Sequence, residues 1–162
     1  MLQNVLKHWS PRVEVLGGLR QSGAIPYAII DGRIAFLLVS SRKSGRWIFP
    51  KGGVPAGLTP WDSAAKEALE EAGVAGRIET TPLGSYRTSS SAPGSPVIDV
   101  DLFPLLVEQQ FEHWQEENLR LRHWVTLSDA RRLLADRSLA RLAAQLHARH
   151  VASHATKRSS AK

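Results

Sequence analysis

Two apolar runs, residues 24–30 and 34–39, flank the dipeptide Asp31-Gly32. Asp-Gly between apolar runs is a strong β-hairpin signal, because both residues adopt positive φ readily. The second run is apolar throughout, which is typical of a strand buried on both faces. The sequence therefore predicts an antiparallel hairpin whose second strand lies inside a sheet.

A helix is predicted from Thr59 to the residue before Gly73. Thr59 is a good N-cap, Pro60 suits the first helical position, and Asp62 places negative charge near the helix N-terminus. Gly73 is the expected C-terminal glycine. The residues expected to pack against the sheet are apolar and mostly small, so the helix can lie close to it. They are Ala64, Ala65, Ala68, Leu69 and Ala72.

Shorter patterns predict the remaining elements. Strands are expected at residues 13–16, within 74–87 with a break near Pro82 and Gly84, at 97–103, and at 121–126; helices are expected at 128–134 and 139–150. Pro104 argues for a bulge or an edge strand, and residues 88–96 and 108–120 are expected to be loops. The order of strands, helix, strands and helices predicts a mixed sheet between helical layers.

Composition is that of a soluble globular chain, with 162 residues, 43% hydrophobic and 22% charged. We divide it into one domain, residues 1–150, and a tail, residues 151–162. The chain has no cysteine, which excludes disulfides and thiolate zinc sites and fits a reducing compartment. No apolar run approaches the roughly 20 residues of a membrane span, and the N-terminus lacks the features of a secretory signal. We therefore expect a cytoplasmic protein without a membrane partner.

The net charge of +6 is concentrated near the C-terminus. Residues 145–162 contain four of the 21 basic residues and no acidic ones, which leaves 17 basic and 15 acidic residues elsewhere. This predicts a solvated, disordered tail. A nucleic-acid-binding arm would need interleaved aromatics and a denser basic run, so no nucleic-acid partner is expected.

The chemistry concentrates in residues 47–74, WIFPKGGVPAGLTPWDSAAKEALEEAGV. Glu67, Glu70 and Glu71 stand at i, i+3 and i+4, so they share one helical face. Three such carboxylates repel one another unless a cation lies between them, and oxygen ligands favour Mg²⁺, Mn²⁺ or Ca²⁺. The alternative is a solvated acidic face. Against it, the charges lie in the C-terminal half of the helix, where they oppose the dipole, and they follow a glycine-rich loop carrying Lys51.

This segment resembles the Nudix box, which reads Gly, five residues, Glu, seven residues, Arg-Glu-apolar-any-Glu-Glu-any-Gly-apolar. Gly52 and the run from Lys66 to Val74 match it, while Leu58 replaces the first Glu and Lys66 replaces the Arg. Three further stretches look like the branch containing diphosphoinositol polyphosphate and diadenosine polyphosphate phosphohydrolases: WIFPKG at 47–52, GSYR at 84–87 and RHWV at 122–125.

The resemblance implies an α/β/α sandwich with a mixed sheet, and hydrolysis of a diphosphate bond by attack of water on phosphorus. It implies Mg²⁺, with Mn²⁺ as an alternative, held by Glu67, Glu70, Glu71 and the main-chain oxygen of Lys51. The general base is either a box glutamate or an acid of a later loop, for which Glu116 is preferred to Glu117.

Several side chains are candidates for binding a phosphorylated small-molecule substrate. The cations are Arg42, Lys43, Arg46, Lys51 and Arg87, and the aromatic candidates for stacking on a base are Tyr27, Trp61 and Trp114. His113 and His123 lack the partners of a zinc site.

The favoured function is a metal-dependent pyrophosphohydrolase acting on a diphosphoinositol polyphosphate or a dinucleoside polyphosphate. The alternatives are a nucleoside triphosphate or nucleotide-sugar hydrolase and a catalytically weak Nudix module that binds a nucleotide or RNA. A monomer and a homodimer both fit the sequence.

Overall fold

The computed structural model describes residues 20–89 and 92–161. The strands are β1 (Arg20–Ile30), β2 (Arg33–Ser40), β3 (Trp47–Ile48), β4 (Lys51–Gly53), β5 (Val74–Ile78), β6 (Gly84–Ser89), β7 (Val97–Gln110) and β8 (Arg122–Val125). The helices are α1 (Pro60–Ala72), α2 (Leu127–Leu133) and α3 (Arg137–Ser160). The strand predicted at residues 13–16 lies outside the described residues.

The predicted hairpin is confirmed. β1 and β2 pair antiparallel and end at the pair Ile30 and Arg33, and the turn residues Asp31 and Gly32 have φ of 51° and 75°. Side chains of β2 alternate between the two faces of the sheet, and Phe36, Leu37, Leu38 and Val39 are all fully buried. This burial on both faces explains why the strand is apolar throughout.

The sheet is mixed, as predicted. Five strands follow the order β3-β2-β1-β7-β5, while β4 pairs with β1, β6 with β7, and β8 with β2. The central β1–β7 pair is parallel, and the other pairs are antiparallel.

Helices cover both faces of the sheet. α1 buries Ala64, Ala68 and Ala72 in one core cluster, with residues of β1, β2, β5 and β7. α3 buries Leu139, Leu142, Ala143 and Leu146 in the other cluster, which also contains Ala130 of α2. The molecule is therefore the α/β/α sandwich that the sequence and the resemblance led us to expect.

The expectation for Pro104 holds only locally: β7 continues through it as a central strand, but neither β5 nor β6 pairs with it. The Pro104 carbonyl accepts a hydrogen bond from the Glu79 amide at 3.0 Å. A strand residue directs its N–H and C=O to the same side, so the missing N–H of Pro104 would face the β5–β6 side. There the pairing with β6 ends at Leu102 and the pairing with β5 begins at Leu105, so no ladder bond is lost.

The C-terminal region also differs from the prediction, because α3 continues to Ser160 where a disordered tail was expected from residue 151. No glycine or proline interrupts residues 137–160, and alanines favour the helix. The described residues beyond His150 are all exposed. The helix expected at residues 128–134 begins at Leu127, and the side chain of its N-cap Thr126 accepts a hydrogen bond from the Asp129 amide.

Within residues 20–89 and 92–161, no helix is long and apolar enough to cross a membrane.

Candidate active site

The capping residues predicted for α1 fix this helix beside the glycine-rich loop. Thr59 accepts a hydrogen bond from the Asp62 amide at 3.2 Å, and Gly73 ends the helix with φ of 65°. In the first turn, the Ser63 hydroxyl donates to the Gly53 carbonyl at 3.3 Å. Caps and loop contact together hold the acidic face of α1 against β4.

Glu67 lies directly over the loop backbone. A Cβ placed on Gly52 would overlap the Glu67 carboxylate, so only glycine leaves room for it. Burial raises the pKa of Glu67, and the neighbouring charge of Glu70 raises it further. The close approach explains the glycine of the box and fixes one carboxylate at the end of β4.

Glu71 is the most buried of the three carboxylates, with 4% of its surface exposed. One oxygen contacts the Arg120 guanidinium at 3.1 Å, whereas Oε2 has no hydrogen-bond partner among the described residues. Burial raises its pKa to about 8; Arg120 opposes the shift, and the charges of Glu67 and Glu116 add to it. The contact with Arg120 leaves Oε2 without a partner among the described residues, so this oxygen is available to a proton or to a further cation.

Glu70 is paired with Lys66, whose ammonium lies 2.6 Å from its carboxylate oxygen. Lys66 stands at one position where the box is altered, and Leu58, at the other, is 38% exposed. The Lys66 side chain thus interacts with Glu70, one turn along its own helix.

The donor atoms fit a hard divalent cation, since they are carboxylate oxygens and one of them is orphaned in a buried position. In the part of the chain that the structure describes, however, no three acidic or histidine side chains are grouped as an ion would require. Glu70 and Glu71 each face a cation of the protein instead, Lys66 and Arg120. Metal binding would therefore displace existing ion pairs.

The loop after β7 brings a fourth carboxylate to the acidic helix. The Glu116 amide donates to the Glu70 carbonyl at 3.0 Å, and the Glu116 carboxylate lies 3.4 Å from Arg120 and 3.9 Å from Arg42. Glu117 instead faces His113, at 3.1 Å. Of the two acids considered as a general base, the structure brings Glu116 to the acidic helix and directs Glu117 elsewhere.

A cavity of about 620 Å³, which we call the site cavity, is lined by Glu71 but not by Glu67, Glu70 or Glu116. Four of the five predicted cations line it, together with Glu71 and Arg120: Arg42, Lys43, Arg46 and Lys51. The Lys51 ammonium donates to Gln21 at 2.9 Å, and burial lowers the Lys51 pKa while Glu71 opposes that shift.

Arg87, the fifth predicted cation, does not line the site cavity. It is exposed and pairs with Asp99 across the β6–β7 ladder at 2.9 Å. Its neighbours Tyr86 and Thr88 do line the cavity. Because side chains alternate along a strand, Arg87 falls on the other face.

The three aromatic side chains predicted to stack on a base also lie outside the lining. Trp114 is a structural residue. Its indole N–H donates to the Glu71 carbonyl at 3.0 Å, and the Arg122 guanidinium carbon lies over its ring, 3.8 Å from the ring centroid. Trp47 and Tyr86 line the cavity instead. Strand alternation alone does not indicate which face of β3 or β6 borders a cavity.

Arg120 is the main residue that sequence reasoning missed. Its side chain is 9% exposed, and besides two carboxylates it contacts the Ser40 carbonyl at 3.1 Å. Ser40 and Glu71 lie far from it in the sequence, so no local pattern marks Arg120.

Comparison with known proteins places this geometry in a family. The family model described as the NUDIX domain matches residues 20–146. This chain belongs to the Nudix family. The family consists of hydrolases that act on pyrophosphate bonds and generally use divalent metal ions.

Individual relatives agree with the family match. "Nudix hydrolase 21, chloroplastic" of Arabidopsis thaliana is 41% identical over 118 residues, covering 70% of this chain and 59% of the relative. "Diphosphoinositol polyphosphate phosphohydrolase 3-beta" of Bos taurus is 32% identical over 100 residues, covering 60% of this chain and 58% of the relative. The match therefore spans somewhat more than half the length of each of these proteins.

Among solved structures, an Ap4A hydrolase of C. elegans shares the fold, with a TM-score of 0.59 and 24% identity over 80% of this chain and 96% of that chain. The Nudix fold inferred from the box is thus confirmed.

Proposed function

We propose that this protein is a metal-dependent pyrophosphohydrolase that cleaves a diphosphate bond in a polyphosphorylated small molecule. The observation that supports the proposal is the site cavity, whose lining contains both the four predicted cations and the buried carboxylate of Glu71. Cations bind the phosphates of a substrate, and an adjacent set of carboxylates can bind the metal ions that such a substrate requires.

The binding roles follow from the positions of the side chains. Lys51 lies closest in sequence to the acidic helix and is partly buried, while Arg42, Lys43 and Arg46 lie on the loop between β2 and β3. Glu67, Glu70, Glu71 and the main-chain oxygen of Lys51 would hold Mg²⁺ or Mn²⁺. Such ions neutralise phosphate oxygens and lower the pKa of a bound water.

Glu116 is proposed as the general base. Its amide is bonded to the helix carrying Glu70, and its carboxylate is held by Arg120, so it is positioned beside the acidic face. In the reaction the water oxygen forms a bond to phosphorus and its proton moves to Glu116. The bond between phosphorus and the bridging oxygen breaks, and two phosphorylated products leave.

Diphosphoinositol polyphosphates and dinucleoside polyphosphates are the proposed substrate classes. The number of cations around the site cavity suits a molecule with several phosphates, and the relatives include a protein named for each class. A nucleoside triphosphate or a nucleotide sugar is the alternative, and Trp47 at the cavity offers a surface for a base. A weakly catalytic binding module is the other alternative, favoured by the altered Leu58 and Lys66.

A phosphate-release screen with Mg²⁺ and with Mn²⁺ tests the proposal. It compares diadenosine polyphosphates, diphosphoinositol polyphosphates, nucleoside triphosphates and nucleotide sugars. The double variant Glu70→Gln, Glu71→Gln is expected to lose at least about a hundredfold in turnover, because two metal ligands are removed. Thermal unfolding at the assay pH shows whether the variant is folded, since Glu71 also contacts the buried Arg120. Full metal-dependent activity in this variant would refute the assignment of the metal site.

The matched control is Glu108→Gln, Glu112→Gln, which removes two exposed carboxylates and should retain wild-type turnover. Tight ligand binding by the wild-type protein without metal-dependent phosphate release would favour the binding module.

A cytoplasmic location and the choice between monomer and homodimer stay predictions; the Arabidopsis relative is named for the chloroplast.

A further inference from the structure

A second cavity, of about 570 Å³, lies between α2 and α3. Its lining contains four arginines, Arg131, Arg132, Arg137 and Arg141, which we call the arginine groove. The remaining lining residues are Leu134 and three alanines, whose short side chains leave the space between the helices open. The described lining therefore combines four arginine side chains with four apolar ones and contains no acidic side chain.

The charges of the groove are poorly neutralised by the protein itself. Arg132 pairs with Asp129 at 3.0 Å, and Arg141 donates to the Ser138 hydroxyl at 3.2 Å. Arg131 and Arg137 have no side-chain partner within residues 20–89 and 92–161. Four guanidinium groups around one concavity thus share a single carboxylate partner among the described residues.

The helix dipole does not favour one of these arginines, Arg137. Arg137 lies in the first turn of α3, where a positive charge opposes the helix dipole; the N-cap Asp136 precedes it, and Arg141 lies one turn further on. Arg131 and Arg132, in the last turn of α2, have the favourable orientation. The helix dipole therefore favours the two arginines of α2 but not Arg137.

We propose that the arginine groove binds the phosphate groups of a multiply phosphorylated small molecule. The planar guanidinium group matches phosphate oxygens in a bidentate geometry, and several converging arginines suit several phosphates. A concavity of this volume is the size of a small-molecule site. Ala135 lines both this groove and the site cavity, so a ligand in the groove lies next to the candidate active site.

Two sources would supply the same chemistry: the far phosphates of a substrate that occupies the site cavity, or a separate polyphosphate. The test uses inorganic tripolyphosphate as the probe, measured by isothermal titration calorimetry without divalent metal. Working in about 0.2 M salt screens charges beyond roughly 8 Å. Because turnover is not measured, the result is independent of the proposed hydrolase activity.

The decisive variant is Arg137→Glu, Arg141→Glu, in which the new charges favour the dipole of α3, so the protein is expected to fold. The matched control is Lys157→Glu, Arg158→Glu, which makes the same change in net charge in the last turn of α3, outside the groove. We expect at least a tenfold loss of tripolyphosphate affinity in the groove variant and little change in the control. NMR signals of the Arg137 and Arg141 side chains should shift when tripolyphosphate is added to the wild-type protein.

The remaining outcomes either show which of the two sources supplies the phosphates or overturn the proposal. If Lys51→Met, in the site cavity, retains binding at the groove, a separate ligand is indicated; if it also loses that binding, one ligand spans both cavities. Equal affinity of the groove variant and the control overturns the proposal. So does binding of single-stranded RNA through these arginines without measurable binding of tripolyphosphate.

Discussion

Glu71 lies among three other charged groups, the carboxylates of Glu67 and Glu116 and the guanidinium of Arg120. Its pKa of about 8 makes the stability of the metal-free protein depend on pH. The folded state keeps this proton up to about pH 8, whereas the unfolded state releases it near 4.5. Between these values the unfolded state binds fewer protons, so stability falls as pH rises.

The prediction is that Glu71→Gln flattens this dependence. In EDTA, the thermal midpoint of the wild-type protein should fall from pH 5 to pH 8 more steeply than that of the variant. Mg²⁺ should raise the wild-type midpoint more at pH 8 than at pH 5, because a larger fraction of Glu71 has lost its proton at pH 8. Parallel curves for the two proteins would show that Glu71 does not titrate in this range.

Lys51 supports a second prediction at the scale of single residues. Lys51→Met keeps most of the packed stem and removes the charge that faces the site cavity. If Lys51 binds a substrate phosphate, KM should rise roughly tenfold to a hundredfold, as expected for a lost hydrogen bond to a charged group. Steady-state kinetics and thermal unfolding measure the two effects separately. A lower midpoint with an unchanged KM would mean a structural role only.

At the scale of elements, the glycine-rich loop and α1 act together. Gly52→Ala places a methyl group where the Glu67 carboxylate lies, whereas a Cβ on Gly53 has no atom within 4 Å. Gly52→Ala should therefore weaken Mg²⁺ binding at least tenfold by displacing Glu67, and Gly53→Ala, its neighbour, should bind Mg²⁺ normally. Calorimetric titration of the metal checks this directly. Equal affinities would mean that Glu67 is not a ligand.

The elements that the sequence predicted best are those governed by neighbouring residues. The turn at Asp31-Gly32 and the caps Thr59 and Gly73 depend on local backbone geometry, so their residue types were sufficient. The coverage of the sheet by α1 also followed, because alanines spaced along one face suit close packing.

Other features depend on residues distant in sequence and could not be predicted in that way. Pro104 is tolerated because two other strands happen to end and begin beside it. The face of β6 that borders the site cavity, and with it the exclusion of Arg87, depends on pairing with β7. Arg120 reaches the site only because its loop docks against both Ser40 and α1.

At the scale of the whole molecule, the end of α3 extends beyond the core. Its last buried residue is Leu146, and the described residues from Val151 onward are exposed. Deletion of residues 151–162 should therefore shift the thermal midpoint by no more than about 2 °C and leave turnover unchanged. Scanning calorimetry of the shortened chain tests this. A loss of several degrees would place these residues within the folding domain rather than outside it.

The parallel pair at the centre of the sheet has a consequence for the order in which the protein is synthesised and folds. β1 begins at Arg20 and pairs with β7 from Asp99 onward, so its principal neighbour is synthesised long after β1 itself. Contacts between such distant segments form slowly, since a large loop must close first. Until β7 has been synthesised, the apolar residues that α1 and the first hairpin bury against it in the folded protein have no such cover.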